Sequence, residues 1–322
     1  MSHRLSHPVF SSYTLSQTAC PVLIFQTLSQ SQPTSAKMTS FITPPPPVHD
    51  SLISFPTPSI LLITLNRPKA LNCINTRGHY ELDALYTWFD NEPSLRCAIL
   101  TGAGRAFCAG ADLKEWDNAN HGTQSQDGKE GLSREAKERS MPPSGFGALS
   151  RRGGKKPVIC AVNGICFGGG CEMIINADMV VADQDAQFGL PEVKIGVVAL
   201  AGALSRLIRT VGRQRAMEMA LTGRTLKAEE AREWGLVNRV VEKGKCVEEA
   251  IRLAEMVVGN SPDSVIVSRE GIKMGWEGIG AEEATRWTQE VWYKRMDRGE
   301  NMKEGVRSFV EKRKPRWVPS KL

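Results

Sequence analysis

Two glutamates dominate the chemistry available to this 322-residue chain. Glu172 closes the run Gly168-Gly169-Gly170-Cys171-Glu172, and Glu192, twenty positions later, closes Phe188-Gly189-Leu190-Pro191-Glu192. A third segment, Ala109-Gly110-Ala111-Asp112, supplies another glycine-opened turn. Carboxylates placed beside a substrate move protons, and backbone N–H groups presented by a turn polarise a carbonyl. Gly169 stands just ahead of a helix expected from about Cys171, whose N-terminus adds the positive end of its dipole. Glycine also lets the main chain approach a ligand with no side chain in the way. Each feature has a plainer reading. A triple glycine serves as a packing turn, Glu172 as an acid satisfying a helix N-terminus, and Glu192 as a surface residue after Pro191. Taken together, two acids and two such turns point to acid–base work on an activated carbonyl compound.

The other residue types remove alternatives. The five histidines are His3, His7, His49, His79 and His121, all ahead of the glutamate-bearing segments. A Ser–His or Cys–His device would need His79 or His121 to fold back, and no G-x-S-x-G sequence is present. The eight cysteines include no C-x-x-C pair, and several lie in apolar runs such as Val158-Ile159-Cys160-Ala161-Val162. They read as reduced, buried thiols of an intracellular protein. Cys166 and Cys171 have no histidine nearby, so no metal site is expected. A formal net charge of +6 suits a phosphate-bearing small ligand or plain solubility, and falls short of a nucleic-acid binder. No run of about 18 uncharged apolar residues occurs, so no membrane span is expected.

To bring the glutamate and glycine segments together, the chain must supply strands and helices in alternation. Residues 1–50 are rich in Ser, Thr, Gln and Pro, carry Pro44-Pro45-Pro46-Pro47, and read as a disordered leader, with Met38 as an alternative start. Ser59–Leu65, Cys97–Thr101, Pro157–Val162 and Met179–Ala182 read as buried strands. Thr76–Asp90 reads as a helix, with Leu82, Leu85 and Phe89 at helical spacing. This alternation indicates a layered α/β fold with a mostly parallel sheet. Between Asn118 and Lys156 the chain turns polar. A short charged helix is expected at Gly131–Ser140, and Pro142-Pro143-Ser144-Gly145 reads as a mobile loop over the site or a surface insertion. Beyond Ala203 six segments show helical spacing, the last over Ala281–Arg298, punctuated by Gly212, Gly223, Gly235 and Gly259 as C-caps.

The segments above, together with Ile63-Thr64-Leu65-Asn66-Arg67-Pro68 and Ala106-Phe107-Cys108-Ala109-Gly110-Ala111-Asp112-Leu113-Lys114, resemble the enoyl-CoA hydratase/isomerase (crotonase) superfamily in order and spacing. The resemblance runs from about Ser51 to the C-terminus. It implies a crotonase-like α/β fold, with a ββα superhelical catalytic core over residues 51–203 and a helical C-terminal trimerisation region over 204–319. It also implies acyl-CoA thioester substrates, no metal, and no cofactor apart from the coenzyme A of the substrate. On this resemblance the N–H groups of Ala111 and Gly169 form an oxyanion hole, Glu172 positions and activates water, and Glu192 exchanges the proton at C2. The Ala109 carbonyl would meet the adenine, Lys114 a phosphate or the ribose, and Arg67 the pantetheine and phosphates. Phe309 and Lys312 would reach the coenzyme A of a neighbouring subunit in a homotrimer or homohexamer. Two acids favour hydration or dehydration. The competing readings are a double-bond isomerase working mainly through Glu192 and a non-catalytic scaffold.

One stretch departs from the pattern. Where family hydratases carry a proline and glycines after the second glutamate, this chain has Ala199, Leu200 and Ala203, and Leu200 is expected to narrow the pocket. With Asn72-Cys73-Ile74-Asn75, Met141-Pro142-Pro143-Ser144-Gly145-Phe146-Gly147 and the C-terminal Ser320-Lys321-Leu322, the chain further resembles fungal peroxisomal members of the superfamily, some of which dehydrate mevalonyl-CoA for siderophore side chains. Ser320-Lys321-Leu322 reads as a peroxisomal address, which implies the import receptor as a partner and the peroxisome as the location.

Overall fold

A computed structural model describes residues 41–115 and 141–322. The apolar runs of the sequence become the central layer. β1 (Ser51–Thr57) and β2 (Ile60–Leu65) pair antiparallel. From β2 the sheet continues in parallel through β3 (Cys97–Gly102), β5 (Val158–Val162), β7 (Met179–Asp183) and β10 (Arg239–Val241). Every residue of β3 and β5 is buried, which is why both read as unbroken hydrophobic runs.

A second layer is built from strands of two or three residues. β4 (Ala106–Cys108), β6 (Ile165–Phe167) and β8 (Gln187–Gly189) run parallel, and β9 (Leu226–Lys227) pairs antiparallel with β8. Each follows closely on a long strand: β4 on β3, β6 on β5, β8 on β7. The chain therefore winds one strand into each sheet per turn, which is the superhelical ββα arrangement. Its consequence for function is register. Cys108 faces Cys166, and Phe167 faces Gly189. The residues that follow these strands emerge side by side: Ala109-Gly110-Ala111, Gly168-Gly169 and Leu190-Pro191-Glu192.

Helix α1 (Thr76–Asn91) starts at Asn75, whose side chain accepts from the Gly78 N–H at 2.8 Å. Cations close its other end, where the free carbonyls carry negative charge. Lys156 Nζ donates to the carbonyls of Phe89 and Glu92 at 2.7 and 2.6 Å, and Arg152 Nη2 donates to both carboxyl oxygens of Asp90 at 2.7 Å. Residues 41–50 pack as well. The Phe41 ring lies 4.7 Å from Phe55 and 5.3 Å from Trp88, whose Nε1 donates to the Thr43 carbonyl at 2.9 Å. The packed body thus begins ahead of Ser51.

The stretch 141–156 is not a plain loop. Phe146, Ala148, Leu149 and Ser150 are buried, with a 3₁₀ turn at Phe146–Ala148. His79 explains the anchoring. Its Nδ1 accepts from the Gly147 N–H at 2.9 Å, and its ring meets the Phe146 ring edge-on at 4.6 Å. Burial pushes His79 down to about 4, so at neutral pH it is an uncharged acceptor and a structural residue. The helix expected at Gly131–Ser140 lies outside the described residues.

The helices beyond residue 168 are α2 (Gly169–Ile175), α3 (Ala203–Val211), α4 (Arg213–Thr222), α5 (Ala228–Glu233), α6 (Cys246–Val258) and α7 (Pro262–Trp276). α8 (Ala281–Trp287) passes through a π-helical turn at Thr288–Tyr293 into α9 (Lys294–Met296), and α10 (Glu300–Val310) follows. α6 belongs to the core: Cys246, Ala250, Leu253 and Ala254 pack on Ile60, Cys97, Ile99, Ile159 and Val181 of the six-stranded sheet. Gly223 caps its helix in the left-handed region at φ 58°, as expected, whereas Gly259 stays right-handed at φ −65°. Among the described residues no helix is long and apolar enough to cross a membrane.

Candidate active site

The three chemistry-bearing segments meet at the ends of β4, β6 and β8. The Gly168 N–H donates to the Gly189 carbonyl at 3.0 Å. A Cβ added to Gly110 would lie 3.3 Å from the Phe167 carbonyl oxygen and 3.4 Å from the Gly169 nitrogen. A Cβ added to Gly168 would lie 3.3 Å from Glu192 Oε1 and 3.8 Å from Gly110 Cα. Both glycines have positive φ, 105° and 54°, a region that favours glycine over any other residue. Both acid-bearing segments and both turns therefore share one small volume.

Two N–H groups remain available there. Ile74 clamps the Ala111 turn from both sides: its N–H donates to the Gly110 carbonyl at 3.0 Å, and its carbonyl accepts from Asp112 at 3.2 Å. In such a parallel bridge the middle residue aims its own N–H away from the partner. The Ala111 N–H accordingly has no acceptor among the described residues. The Gly169 N–H has none either, because the first turn of a helix leaves its donors unpaired. Close packing dictates glycine at the start of α2. A Cβ at Gly169 would come within 2.5 Å of the Phe146 ring, and one at Gly170 within 2.2 Å of the Cys108 carbonyl oxygen.

The two carboxyls sit in different surroundings. Glu172, in the first turn of α2, is only 4% exposed, and its Oε2 accepts from the Ala203 N–H at 3.0 Å. Burial pushes its carboxyl up to about 7; the amides of Ala203 and Ala201 pull it down, and the charge of Glu192 adds to the rise. Glu192 is half-buried on the 3₁₀ turn Pro191–Ile195, and burial raises it too. Its Oε2 is buried with no hydrogen-bond partner among the described residues. An orphaned buried oxygen is costly to a fold, and a ligand that meets it relieves that cost. Two neighbouring acids whose proton affinities are both raised by burial suit proton exchange with a substrate.

The remaining expected residues fall into two sets. Arg67 braces the oxyanion turn: Nη2 pairs with Asp112 at 2.7 Å, and Nη1 donates to the Cys73 carbonyl at 2.7 Å. The Ala109 N–H donates to Leu71 at 3.0 Å, while its carbonyl accepts nothing among the described residues. Lys114 is exposed just beyond that turn. Among the described residues no hydrogen bond or ion pair brings Phe309 and Lys312 to the cluster. Both stand exposed at the end of α10, Phe309 by 86%. Leu200 does not narrow the pocket within the protomer: it is 80% exposed, and Ala199, Ala201 and Ala203 form the buried wall. A small cleft of about 50 Å³ lined by Asp90, Arg96, Lys156, Val265 and Ser320 includes neither Glu172 nor Glu192. Its Asp90 and Lys156 are already committed to Arg152 and to the end of α1. Ser150 and the anchoring role of Phe146 are marked in the sequence only by an apolar island, Phe146-Gly147-Ala148-Leu149, inside a polar stretch.

Two sheets wound strand by strand bring a pair of free amides, one buried acid and one half-buried acid to one edge, an arrangement suited to acid–base work on an activated carbonyl compound. The family model for enoyl-CoA hydratase/isomerase matches residues 57–319. The chain belongs to that family, and it is a hydratase-type lyase. It is 58% identical over 284 residues to mevalonyl-coenzyme A hydratase SIDH of Beauveria bassiana, covering 88% of this chain and 100% of the relative. It is 50% identical over 277 residues to mevalonyl-coenzyme A hydratase sidH of Aspergillus fumigatus, covering 86% and 98%. Among solved structures it is similar to enoyl-CoA hydratase from Mycobacterium tuberculosis, with a TM-score of 0.73, 35% identity, and coverage of 84% and 99%.

Proposed function

We propose that the protein interconverts mevalonyl-CoA and its dehydrated 2-enoyl thioester, in the service of siderophore side-chain synthesis. The observation that carries the chemistry is the convergence of Glu172 and Glu192 on the turns that present the Ala111 and Gly169 amides. The acyl group is supported by the two relatives named as mevalonyl-CoA hydratases.

In the dehydration direction the thioester oxygen accepts from the Ala111 and Gly169 N–H groups, so charge that builds there as C2 loses its proton is stabilised. Glu192, ionised, takes the C2 proton. Glu172, protonated, gives its proton to the C3 hydroxyl, the C3–O bond breaks, C2=C3 forms, and water departs. The two carboxyls end with their protonation exchanged and reset through solvent. Hydration is the reverse, with Glu172 activating the incoming water. A carboxyl held near 7 is half protonated at neutral pH and serves either direction.

No metal or bound cofactor is called for by these steps; coenzyme A arrives as part of the substrate. The unpartnered Ala109 carbonyl and exposed Lys114 support contact with its adenine, ribose and phosphates. Arg67 contributes by holding the turn. Exposed Phe309 and Lys312 support a role at a neighbouring subunit's coenzyme A in a homotrimer or homohexamer. Ser320-Lys321-Leu322 supports delivery to the peroxisome by the import receptor, with release of the Lys155 Nζ contact to Leu322 at 2.6 Å before the receptor binds.

The test is a thioester panel: mevalonyl-CoA, straight-chain 3-hydroxyacyl-CoA and 3-enoyl-CoA. The expected outcome is dehydration of mevalonyl-CoA with kcat/KM at least about tenfold above the straight-chain substrates, the scale on which one methyl group discriminates. Turnover of the 3-enoyl thioester alone would establish the isomerase reading instead.

A further inference from the structure

We infer that Ser150 is a positioning residue: its hydroxyl locks the Phe146 turn over Gly169 to the wall that holds Glu172, keeping oxyanion donor and acid in one frame. The side chain is fully buried and uses both of its hydrogen-bonding capacities. Its Oγ accepts from the Phe146 N–H at 2.7 Å and donates to the Ala201 carbonyl at 2.7 Å. Phe146 is the ring that presses on Gly169, where a Cβ would come within 2.5 Å of it. Ala201 belongs to the wall whose amides, at Ala203 and Ala201, hold the Glu172 carboxyl. One hydroxyl thus joins the two halves of the site through Phe146 and Ala201, with no hydrogen bond to Glu172 itself. The surrounding chain is shaped for it: at Gly145, with φ 81°, a Cβ would lie 2.4 Å from Ser150 Oγ.

Removing the hydroxyl leaves other ties in place. Asn176 Nδ2 still donates to the Leu149 carbonyl at 2.7 Å, and its Oδ1 still accepts from Arg206 Nε at 3.1 Å. Ser150→Ala therefore keeps the scaffold while freeing the Ala201 carbonyl and the Phe146 N–H. The sign of the effect on Glu172 follows from its neighbours. Burial and the Glu192 charge raise its proton affinity, and the wall amides lower it. Arg151 and Arg206 approach the same wall at Gly202, and His79, behind Phe146, is neutral. Loosening the wall weakens the lowering influence, so Glu172 binds its proton more tightly.

This inference rests on the proposed dehydration, and its test separates the two. The kcat and KM for mevalonyl-CoA are measured against pH for the wild type, Ser150→Ala and Ser150→Thr. The Glu172 carboxyl is titrated in ligand-free protein by infrared difference against Glu172→Gln, and thermal unfolding is recorded alongside. Ser150→Ala is expected to lower kcat on the order of tenfold, as a small misplacement of catalytic groups does, with KM changed less than about threefold. Its Glu172 titration and the matching limb of the pH profile move to higher pH, and Ser150→Thr, which keeps the hydroxyl, restores both. A Glu172 titration in Ser150→Ala that coincides with wild type overturns the inference, whatever happens to stability. A wild type that turns over no thioester overturns the proposed function instead, while the titration still decides the role of Ser150.

Discussion

Glu172→Gln and Glu192→Gln are each expected to lower kcat for mevalonyl-CoA dehydration by about 10²–10⁴-fold, the span of a positioned general acid or base. KM is expected to change little, because neither carboxyl is placed to hold the coenzyme A. Glutamine keeps the size and one acceptor oxygen, so the Ala203 N–H retains its partner and the wall stays put. Only the exchangeable proton is lost. The double variant is expected to fall little below the worse single one, since two groups serving one transition state are not additive. The pH profile carries a signed expectation. Dehydration needs Glu172 protonated, and burial sets its carboxyl at about 7. The wild-type dehydration rate should therefore fall as pH rises through about 7, and this alkaline limb should vanish from the residual activity of Glu172→Gln. Steady-state kinetics over a pH series checks both. Near wild-type kcat in either variant would remove that glutamate from the chemistry.

Gly169→Ala is expected to lower kcat by about 10²–10³-fold, the loss that follows removal of one oxyanion donor. The new Cβ would come within 2.5–2.6 Å of three atoms of the Phe146 ring. That ring cannot swing aside freely: it is 3% exposed and wedged against His79. The turn must move instead, taking the Gly169 N–H out of line with the Ala111 N–H. Two controls isolate this cause. Gly275→Ala, in α7 with open space at its Cβ, is expected to leave activity unchanged and to stabilise slightly. Adding Phe146→Ala to Gly169→Ala relieves the clash and is expected to recover part of the lost kcat. Undiminished kcat in Gly169→Ala would show that the Gly169 amide is not a donor to the substrate.

How much of this was legible in the sequence depends on what each feature rests on. β3 and β5 were visible because strands buried on both faces read as apolar runs. α1 was visible through Leu82, Leu85 and Phe89 at helical spacing. β4, β6, β8 and β9 were not, since two or three residues show no periodicity, yet their register is what aligns the site. The acids and glycine turns were legible because their identities are fixed by chemistry and by backbone approach, both of which act within a few residues. Their support was not. The hydrogen bonds from Ser150 to Ala201 and from Gly147 to His79 span 51 and 68 positions, and nothing local announces them. The polar character of 141–156 misled for the same reason: Arg152 and Lys156 are buried there because Asp90 and the carbonyls ending α1 neutralise them.

Hydration of the 2-enoyl thioester in D₂O tests the central claim most directly, with the products read by mass spectrometry and NMR. If the Ala111 and Gly169 amides hold the thioester oxygen while Glu192 delivers a solvent-derived proton, every mevalonyl-CoA formed carries one deuterium at C2 and one new hydroxyl at C3. Migration of the double bond to C3 with no hydroxylated product would contradict the account.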